Sequence, residues 1–354
     1  MSLQIVGTLT LTTHAHQSDP SGKSGNRSGT IKTWHFSQGG RRRNIPYITA
    51  NSVRGLIRRH AATLLLDTLG VPVPRQLFQI LNRGASGRSD IGAEPNVNAL
   101  NLAGKNVYSG LFGGGPYMLH SRYSIGPLVP VLAWTEKLLH PALKAQAIPV
   151  EHLSYIDAEQ VVRDAPLTTD IILTGKDDLL LGKGQGYVEN YQESLAQWLE
   201  HVMGGRSAKA EKKKAKAAGE QVDEAVANVK SSDLMGFNFI EAMLPGTPLQ
   251  FWLRLKPSAT PAQVGLALLA VRDWANENVL GGMSARGFGR FDAHLSLYDG
   301  DTEVVPSLFR PGDHATSYRL VDALEPYVSA AQAELEALTI EALNVVYPSD
   351  AKAA

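Results

Sequence analysis

Two glycine-rich loops are the segments of this chain whose composition and spacing could bind an anion. Residues 281–290 read GGMSARGFGR, and residues 111–115 read LFGGG. Glycine lets the main chain approach a ligand closely, so that backbone N–H groups can reach phosphate oxygens without side-chain obstruction. Arg286 and Arg290 would add positive charge to the longer loop. That loop lacks the G-K-[ST] sequence of a P-loop, and a loop that merely joins a helix to a strand could have the same composition.

Six arginines in two short runs could neutralise the phosphates of a nucleic acid. Arg54, Arg58 and Arg59 fall off the apolar stripe of a predicted helix, and Arg41–Arg43 stand just upstream of it. From Met1 to His60 there are nine lysine or arginine residues and one acidic residue, although the whole chain contains 34 basic and 34 acidic residues. Contacts to backbone phosphates do not depend on base sequence and weaken steeply as salt rises. We therefore favour nucleic acid contact over ordinary surface arginines.

Histidines near the N-terminus offer a different chemistry. His14 and His16, followed by Asp19, form the pattern H-A-H-x-x-D, which could ligate a metal or serve acid–base cleavage of RNA. Two histidines in a Gly/Ser-rich loop do not fix a geometry, so we predict neither a metal site nor a catalytic residue. The chain has no cysteine, which excludes disulfides, thiolate metal sites and cysteine nucleophiles. A small-molecule site on the glycine loops has no supporting cofactor fingerprint, and we expect no cofactor.

Three aromatic rings interrupt the long polar loop in which the histidines lie. Trp34, His35 and Phe36 could stack on unpaired bases, at about 1–3 kcal/mol each. Packing of the loop onto its own domain would use the same residues. Both interpretations stay open for the sequence.

A strand and a helix would position the arginine runs. Apolar residues alternate from Leu3 to Thr13, which predicts a half-buried strand. Apolar residues at helical spacing follow Pro46, with Thr49 or Asn51 as the N-cap, and Gly70 ends the predicted helix. The helix then has an apolar face for the core and a basic face.

A second strand–helix unit would position the longer glycine loop. The pattern predicts a strand over Gly246–Lys256, a helix that Thr260 caps with Pro261 at its first position, and a closing strand over Phe291–Tyr298. The two units together predict an α+β fold, a ferredoxin-like or RRM-like domain with long insertions. A further amphipathic helix is predicted over Val321–Val345.

Three widely spaced segments of the chain resemble the RAMP superfamily of CRISPR proteins. They are the strand Leu3–Thr13, the helix start Pro46–Arg58 and the loop Gly281–Arg290. In that superfamily the helix start reads roughly P-x-I-P-x-S-S-x-(K/R)-G-x-x-R, and the loop reads roughly G-G-x-x-x-R-G-x-G. Asn238–Thr247 also resembles the strand before the second helix of the backbone subunits. The chain is most similar to the backbone, or seventh-family, subunit that lines CRISPR guide RNA, of type IV or type I-D.

The resemblance implies a non-catalytic scaffold. Several copies would assemble head to tail along one guide RNA beside other CRISPR effector subunits, and base pairing would recognise a complementary target nucleic acid. The residues expected to bind RNA are Trp34, Arg41, Arg42, Arg43, Asn51, Ser52, Arg54, Arg58, Arg59, Gly113, Gly114, Gly282, Ser284, Arg286, Gly287 and Arg290.

An enzymatic alternative stays open. Backbone subunits of RNA-cleaving type III complexes carry an aspartate in the first loop, whereas residues 29–32 of this chain read GTIK and contain no acid. Target cleavage is therefore not expected. Related RAMP nucleases make a metal-independent endoribonuclease that processes guide precursors the second hypothesis, with His14, His16 or His35 as the general acid or base.

The resemblance also implies a palm with fingers and a thumb, a hairpin that overlaps the neighbouring subunit. The expected organisation is a palm over 1–13, 46–70 and 236–298, a basic loop insertion over 14–45, a finger-like insertion over 71–152, a thumb-like hairpin over 153–181, a helical or mobile insertion over 182–235 and a C-terminal helical extension over 299–354.

Charge and hydropathy set the remaining expectations. After Pro311 acidic residues outnumber basic ones, which a head-to-tail assembly could use and which separate solvated faces would also explain. Apolar runs stay well short of the roughly 20 residues that a membrane span requires. We expect a cytoplasmic protein with no membrane partner.

Overall fold

The computed structural model describes residues 2–24, 26–36, 42–84, 97–115, 119–176, 185–200, 235–312 and 317–347. The chain divides into two compact units. The first consists of Met1–Asp19, Thr30–Thr169 and Ala242–Ala354, and the second consists of Pro20–Gly29 and Asp170–Glu241.

The strands, in chain order, are β1 (Leu3–Leu11), β2 (Ser18–Ser24), β3 (Arg27–Thr30), β4 (Lys32–Phe36), β5 (Arg42–Pro46), β6 (Tyr123–Ile125), β7 (Ser154–Ile156), β8 (Val162–Asp164), β9 (Thr168–Lys176), β10 (Met235–Met243), β11 (Pro248–Leu255), β12 (Phe291–Asp299), β13 (Thr302–Val305), β14 (Phe309–Pro311) and β15 (Tyr318–Leu320). The α-helices are α1 (Ala50–Leu69), α2 (Arg75–Arg83), α3 (Val97–Lys105), α4 (Val107–Phe112), α5 (Pro261–Glu277), α6 (Glu325–Glu336) and α7 (Ile340–Val346). Short 3-10 turns cover Ala133–Leu138, Pro141–Gln146, Val150–Leu153, Ser284–Arg286 and Asp322–Leu324.

The sheet of the first unit confirms the predicted α+β fold. Its strand order is β13-β12-β1-β11-β6, and β1 runs antiparallel to both of its neighbours. With α1 after β1 and α5 between β11 and β12, the chain order is β1-α1-β6-β11-α5-β12. This order is the βαββαβ arrangement of a ferredoxin-like domain, to which β13 adds an edge strand. Gly7 lies at the centre, opposite Phe251 on one side and Leu295 on the other.

Local signals explain where α1 and α5 begin and end. Thr49 caps α1 by accepting the N–H of Ser52, and Gly70 ends the helix in the left-handed region at φ 63°. Thr260 and Gln263 form a capping box at the start of α5. Both helices bury their apolar residues in the main core of the first unit, where Trp274 of α5 packs against aromatic rings of the sheet at centroid distances of 5.5 and 5.2 Å. Burial of these apolar faces, more than helix propensity, holds the helices on the sheet.

Several insertions have more regular structure than the sequence pattern predicted. Residues 14–45 were expected to form a basic loop, but they contain β2, β3, β4 and β5. Residues 123–125, which the sequence placed in the finger-like insertion, form the edge strand β6 of the main sheet. Within the expected thumb segment, β7 and β8 form a short hairpin, while β9 joins a different sheet. The predicted helix over Val321–Val345 is interrupted between α6 and α7, where Thr339 caps a new helix.

The second unit is built around a four-stranded sheet of order β2-β3-β10-β9. Strands β3 and β10 pair in parallel, with Arg27 opposite Phe239. Arg27 also donates to Asp170 at 2.9 Å, and this ion pair raises the pKa of the guanidinium further above its ordinary value. Most of the insertion 182–235 lies outside the described residues. Within the part of it that is described, residues 191–200 are helical. No helix in the described ranges is long and apolar enough to cross a membrane.

Candidate nucleic acid interface

A groove lined by arginines follows the first turns of α1 in the first unit. It has a volume of about 540 Å³. Four of the described residues that line it are arginines, and none carries a carboxylate. The lining residues are Asn51, Ser52, Arg54, Gly55, Arg58, Arg59, Asn82, Arg83, Gly84, Gly114 and Leu119. A concave surface with one sign of charge concentrates the field and favours an anion such as a nucleic acid backbone.

The helical period places the groove on the face of α1 that points away from the core. Val53, Ile57 and Ala61 are buried, whereas Asn51 and Arg59 are exposed. Asn51 and Ser52, both predicted from the sequence motif, lie in the first turn of α1, where they line the groove. In the part of the chain that the structure describes, the guanidinium of Arg59 has no hydrogen-bond or ion-pair partner. It is therefore available to a ligand.

Arg58 differs from the prediction that it belongs to an exposed basic face. Only 5% of the residue is exposed, and its guanidinium donates to the carbonyl oxygens of Leu81, Phe112 and Gly113 at 2.9, 3.3 and 2.6 Å. A buried arginine needs such partners, because burying a charge without hydrogen bonds is costly. Arg58 thus joins α1 to the ends of α2 and α4. Its main contribution to the groove is to hold the wall in place.

Two tyrosines complete the buried polar cluster around Arg58. The hydroxyl of Tyr108 donates to Leu81 O at 2.5 Å, and that of Tyr347 donates to Gly113 O at 3.1 Å. Burial is the first cause that raises the pKa of both phenols well above the ordinary range, so both remain neutral donors. The cluster anchors the glycine turn at 113–115 to the C-terminal helix α7.

Arg54 is the half-buried member of the groove. Its guanidinium lies 5.6 Å from the ring centroid of Tyr123 and donates to Phe112 O at 3.4 Å. Burial raises the pKa of the Tyr123 phenol, and Arg54 opposes that shift. The stacked position leaves part of the arginine at the groove surface and fixes its direction.

The glycine turn does not bind phosphate in the way the sequence suggested. The N–H groups of Gly113, Gly114 and Gly115 already donate to Ser109 O, Leu119 O and Gly84 O. A Cβ at Gly113, where φ is 63°, would lie 2.2 Å from Leu119 O, so this position requires glycine for close backbone approach. Gly114 still lines the groove, but its N–H is not free for a ligand.

The loop Gly281–Arg290 is folded tightly onto residues 14–16. Gly282 N–H donates to His16 O, and Gly289 N–H donates to His14 O, both at 2.7 Å. A Cβ at Gly289 would lie 1.9 Å from Leu280 O, which explains the need for glycine at φ 81°. Met283 is a non-glycine residue at φ 66°, a left-handed conformation that is unfavourable for it.

The tip of this loop presents donors that the fold leaves unused. Among the residues that the structure describes, the backbone N–H groups of Met283, Ser284 and Ala285 have no hydrogen-bond acceptor. Successive N–H groups in a left-handed and right-handed sequence form a concavity that binds anions. The side chains of Ser284 and Arg286 are exposed beside it, as is Gly287. The tip is therefore the part of the loop that offers three consecutive unused donors to an anion.

Arg290 was expected to bind RNA, but its guanidinium already has partners within the protein. Its Nη1 donates to Glu277 O at 2.6 Å and to Asn278 Oδ1 at 2.7 Å. These bonds satisfy carbonyl and amide oxygens at the C-terminal end of α5, where a positive charge is favourable. Arg290 therefore stabilises the helix end from which the loop begins.

Gln17 connects the loop to the start of α1, and sequence reasoning missed it. Thr49 N–H donates to Gln17 Oε1, and Gln17 Nε2 donates to Thr49 Oγ1, both at 2.9 Å. Because His16 O holds Gly282, residues 16 and 17 link the glycine loop and the helix start. A single glutamine in a polar loop has no sequence signal that marks such a role.

Arg83 and Asn82 were also missed. They lie at the C-terminal end of α2 and line the groove opposite the α1 arginines. Arg83 is exposed and, within the described ranges, has no side-chain partner. A basic residue just before Gly84 is a visible helix-end signal, but the sequence pattern placed this segment in an insertion with no predicted binding role.

The upstream arginines differ from one another. Arg43 forms an ion pair with Asp164, an acidic residue distant in sequence, although the first 60 residues contain only one acidic residue. Arg42 is exposed on β5, and Arg41 lies outside the described residues. The main chain of Trp34 pairs with Asn44, while its side chain lies outside the described part of the structure.

His14 and His16 have different surroundings in the described structure. Within the described residues no group of three or more histidine, cysteine, aspartate or glutamate residues could hold a metal ion. His16 is 0% exposed, and its Nε2 lies 3.0 Å from Ser18 Oγ. His14 is half-buried, with its ring 6.4 Å from that of Phe288 in the glycine loop. The side chain of His35 lies outside the described residues.

Comparison with solved structures finds chains of similar fold. No protein-family model matches the chain, and no curated protein matches it. A solved structure described as "Type IV-B CRISPR Complex" is similar over 88% of this chain and 96% of the other, with 18% sequence identity and a TM-score of 0.48. A similarity of this size does not by itself establish a shared function.

Proposed function

We propose that this chain is a non-catalytic RNA-binding subunit of a CRISPR ribonucleoprotein effector. It holds the phosphate backbone of a guide RNA along the groove of α1 and leaves the bases free to pair with a complementary target. The observation that carries the proposal is the groove itself, which is lined by four arginines and, among the described residues, by no carboxylate. The motifs that resemble the RAMP superfamily form the helix start and the glycine loop beside it.

The geometry suits backbone contact better than base readout. Guanidinium groups match phosphate oxygens, and Arg59 and Arg83 meet the groove from two different helices. The N–H groups of residues 283–285 add uncharged donors that bind phosphate of any sequence. A guide RNA differs in sequence from one complex to another, so a holder must not read its bases.

Assembly is part of the proposal. Several copies lie head to tail along one guide, together with other effector subunits, in the cytoplasm. The opposite charge of the segments before His60 and after Pro311 supports a head-to-tail contact. The sequence resemblance supports the same arrangement.

Salt-dependent RNA binding tests the proposal. We expect the Arg59→Ala/Arg83→Ala variant to bind unstructured RNAs of every sequence more weakly. The slope of log affinity against log salt should fall by about 0.7 for each phosphate that the variant no longer neutralises. Fluorescence anisotropy with labelled RNA measures both quantities.

Arg75→Ala is the matched control, because Arg75 is an exposed arginine at the other end of α2 and does not line the groove. It should leave affinity and slope unchanged. An unchanged slope in the double variant would remove these arginines from the interface, and absence of RNA binding by the native chain would reject the function.

The same RNA also tests the nuclease alternative. His14 is the histidine to test, because its half-buried ring lies 6.4 Å from that of Phe288 in the glycine loop, whereas His16 is 0% exposed. We expect intact RNA after prolonged incubation without metal. Site-specific cleavage that His14→Ala abolishes would replace the scaffold role with an endoribonuclease role.

A further inference from the structure

A short segment, residues 140–146, covers part of the main sheet on the face turned away from α1 and α5. Gln4 of β1 and Gln250 of β11 alternate with residues of the main core, so their side chains point to this face, where both bond to His140. Farther along the segment, Leu143 lines a cavity of about 410 Å³ together with residues of β1 and β12. The position of the segment therefore determines how far this face of the sheet is open.

Gln250 fixes the main chain at the start of the segment. Its Oε1 accepts the N–H of His140 at 3.0 Å, and its Nε2 donates to Leu138 O at 3.1 Å. Gln250 is itself buried. These bonds involve main-chain groups of residues 138–140, so they do not depend on the charge of the His140 ring.

The His140 ring holds the rest of the segment through a hydrogen bond that only a neutral ring can accept. His140 is the N-cap of the 3-10 turn Pro141–Gln146, and its Nδ1 accepts the N–H of Ala142 at 3.3 Å. Its Nε2 lies 3.2 Å from Gln4 Oε1, which also accepts from Arg254 Nε at 3.1 Å. Because the amide oxygen can only accept, the ring proton is on Nε2 and the lone pair is on Nδ1.

The Gln4 amide cannot turn over to suit a different ring. Its Nε2 donates to Gly300 O at 3.0 Å while its Oε1 meets Arg254, so both ends of the amide have the partners that they require. Gln4 is buried as well. The network around His140 therefore assigns one tautomer to the ring.

A second proton on the ring would remove the cap. It would occupy Nδ1, so two donors would face each other at Ala142. Two charged groups act on the ring from the elements packed against it, Arg254 of β11 and Asp301 of the turn after β12. Burial lowers the pKa of His140 below its ordinary value, Arg254 lowers it further, and Asp301 offsets only part of this. The closed segment thus favours the neutral ring.

We infer that residues 141–146 are an acid-sensitive cover of the sheet face, which the neutral His140 ring holds closed and the charged ring releases. The inference is independent of the proposed function, because none of these residues lines the groove of α1. Release begins at Ala142 and leaves residues 133–139 in place, since Gln250 and Thr135 hold those residues through bonds that a ring proton does not change.

Hydrogen–deuterium exchange of the whole chain tests the inference. Exchange is followed by mass spectrometry between about pH 7.5 and about pH 5 and divided by the intrinsic rate at each pH, which gives a protection factor. The closed form has the lower pKa, so its stability is fully present above the ordinary histidine value of about 6.5 and is lost as the pH falls below it. We expect the protection of residues 141–147 to fall by about threefold or more, while that of residues 133–139 stays constant.

Replacement of the titrating cap identifies the responsible group. His140→Asn keeps a side-chain oxygen that can cap the turn and carries no titrating group, so the protection of residues 141–147 should no longer depend on pH. His152→Asn is the matched control, because His152 is exposed at the end of the 3-10 turn Val150–Leu153. It should keep the pH dependence of the native chain.

A measurement on the native chain keeps the inference testable if His140→Asn does not fold. Nitrogen NMR of the imidazole groups should show His140 protonated on Nε2 alone at neutral pH, with a titration midpoint below that of His152. Three results would overturn the inference: constant protection of residues 141–147 in the native chain, an equal loss in residues 133–139, or a native pH dependence in His140→Asn. None of them would bear on RNA binding by the groove.

Discussion

At the scale of single residues, neighbours in sequence have opposite roles in the groove. Arg58 is buried and donates to three carbonyl oxygens, whereas Arg59, one position later, is exposed. The helix turns by about 100° per residue, so one arginine faces the packed ends of α2 and α4 while the next faces solvent. Charge alone therefore does not identify which arginine can contact RNA.

This difference predicts different losses of stability. Arg58→Ala should lower the free energy of unfolding by about 3 kcal/mol or more, since it leaves buried carbonyls without donors and opens a cavity. Arg59→Ala should change it by less than about 0.5 kcal/mol, because an exposed side chain without partners is removed. Urea denaturation of the two variants measures both.

For RNA affinity, measured on folded protein, we expect the opposite order, in which Arg59→Ala has a larger effect than Arg58→Ala. Arg59→Ala weakens binding directly. Arg58→Lys, which keeps a charge but not the planar fork, serves as the second comparison for the buried site. Equal stability of Arg58→Ala and Arg59→Ala would contradict the structural role of Arg58.

At the scale of elements, residues 14–17 connect the two motifs that resemble the RAMP superfamily. Their main chain holds the glycine loop through His14 and His16, and the Gln17 carboxamide holds the N-cap of α1. The loop and the helix start lie far apart in sequence, and this segment sets their spacing. Gln17 is therefore a positioning residue of the proposed interface.

A double-mutant cycle tests that role. Gln17→Ala should weaken RNA binding several-fold, and adding Arg286→Ala should cost less than Arg286→Ala costs in the native background. The reason is that a displaced loop no longer presents Arg286 to the RNA. Binding measured by anisotropy at one salt concentration gives the four affinities.

The control for this cycle is Gln197→Ala, which changes an exposed glutamine that donates to its helix neighbour Glu193. It should not couple to Arg286→Ala. If the effects of Gln17→Ala and Arg286→Ala add in full, Gln17 does not position the loop.

At the scale of the whole molecule, a sequence-independent groove on each chain predicts repeated binding along one RNA. Each copy covers a fixed length of backbone, so the mass of the complex should rise in steps of one chain as the RNA is lengthened. Size-exclusion chromatography with light scattering measures the steps. The length that adds one chain gives the site size directly.

Heparin of matched charge is the control for simple condensation on a polyanion. We expect no stepwise masses with heparin, since its sulfates do not follow the spacing of an RNA backbone. A single chain on every RNA length would contradict assembly, although it would leave RNA binding by the groove intact.

Local features of the sequence were sufficient to predict most elements of the ferredoxin-like core. The bounds of α1 follow from Thr49 and Gly70, and the start of α5 follows from Thr260 and Pro261, because capping is decided within one turn of chain. The core strands follow from apolar alternation. The segment Ser121–Val131 has a strand-like composition, but β6 within it is only three residues long and shows no period, so the sequence placed it in an insertion and not in the main sheet.

The tertiary structure alone decided which partners the charged groups have. Arg43 meets Asp164 and Arg58 meets Gly113, over sequence separations of 121 and 55 residues. The sequence determined that arginines and glycines cluster beside a helix start and a loop. Which of them are free to bind a ligand depended on the groups that folding brings near them, since burial and long-range hydrogen bonds are properties of the packed chain and not of any local pattern.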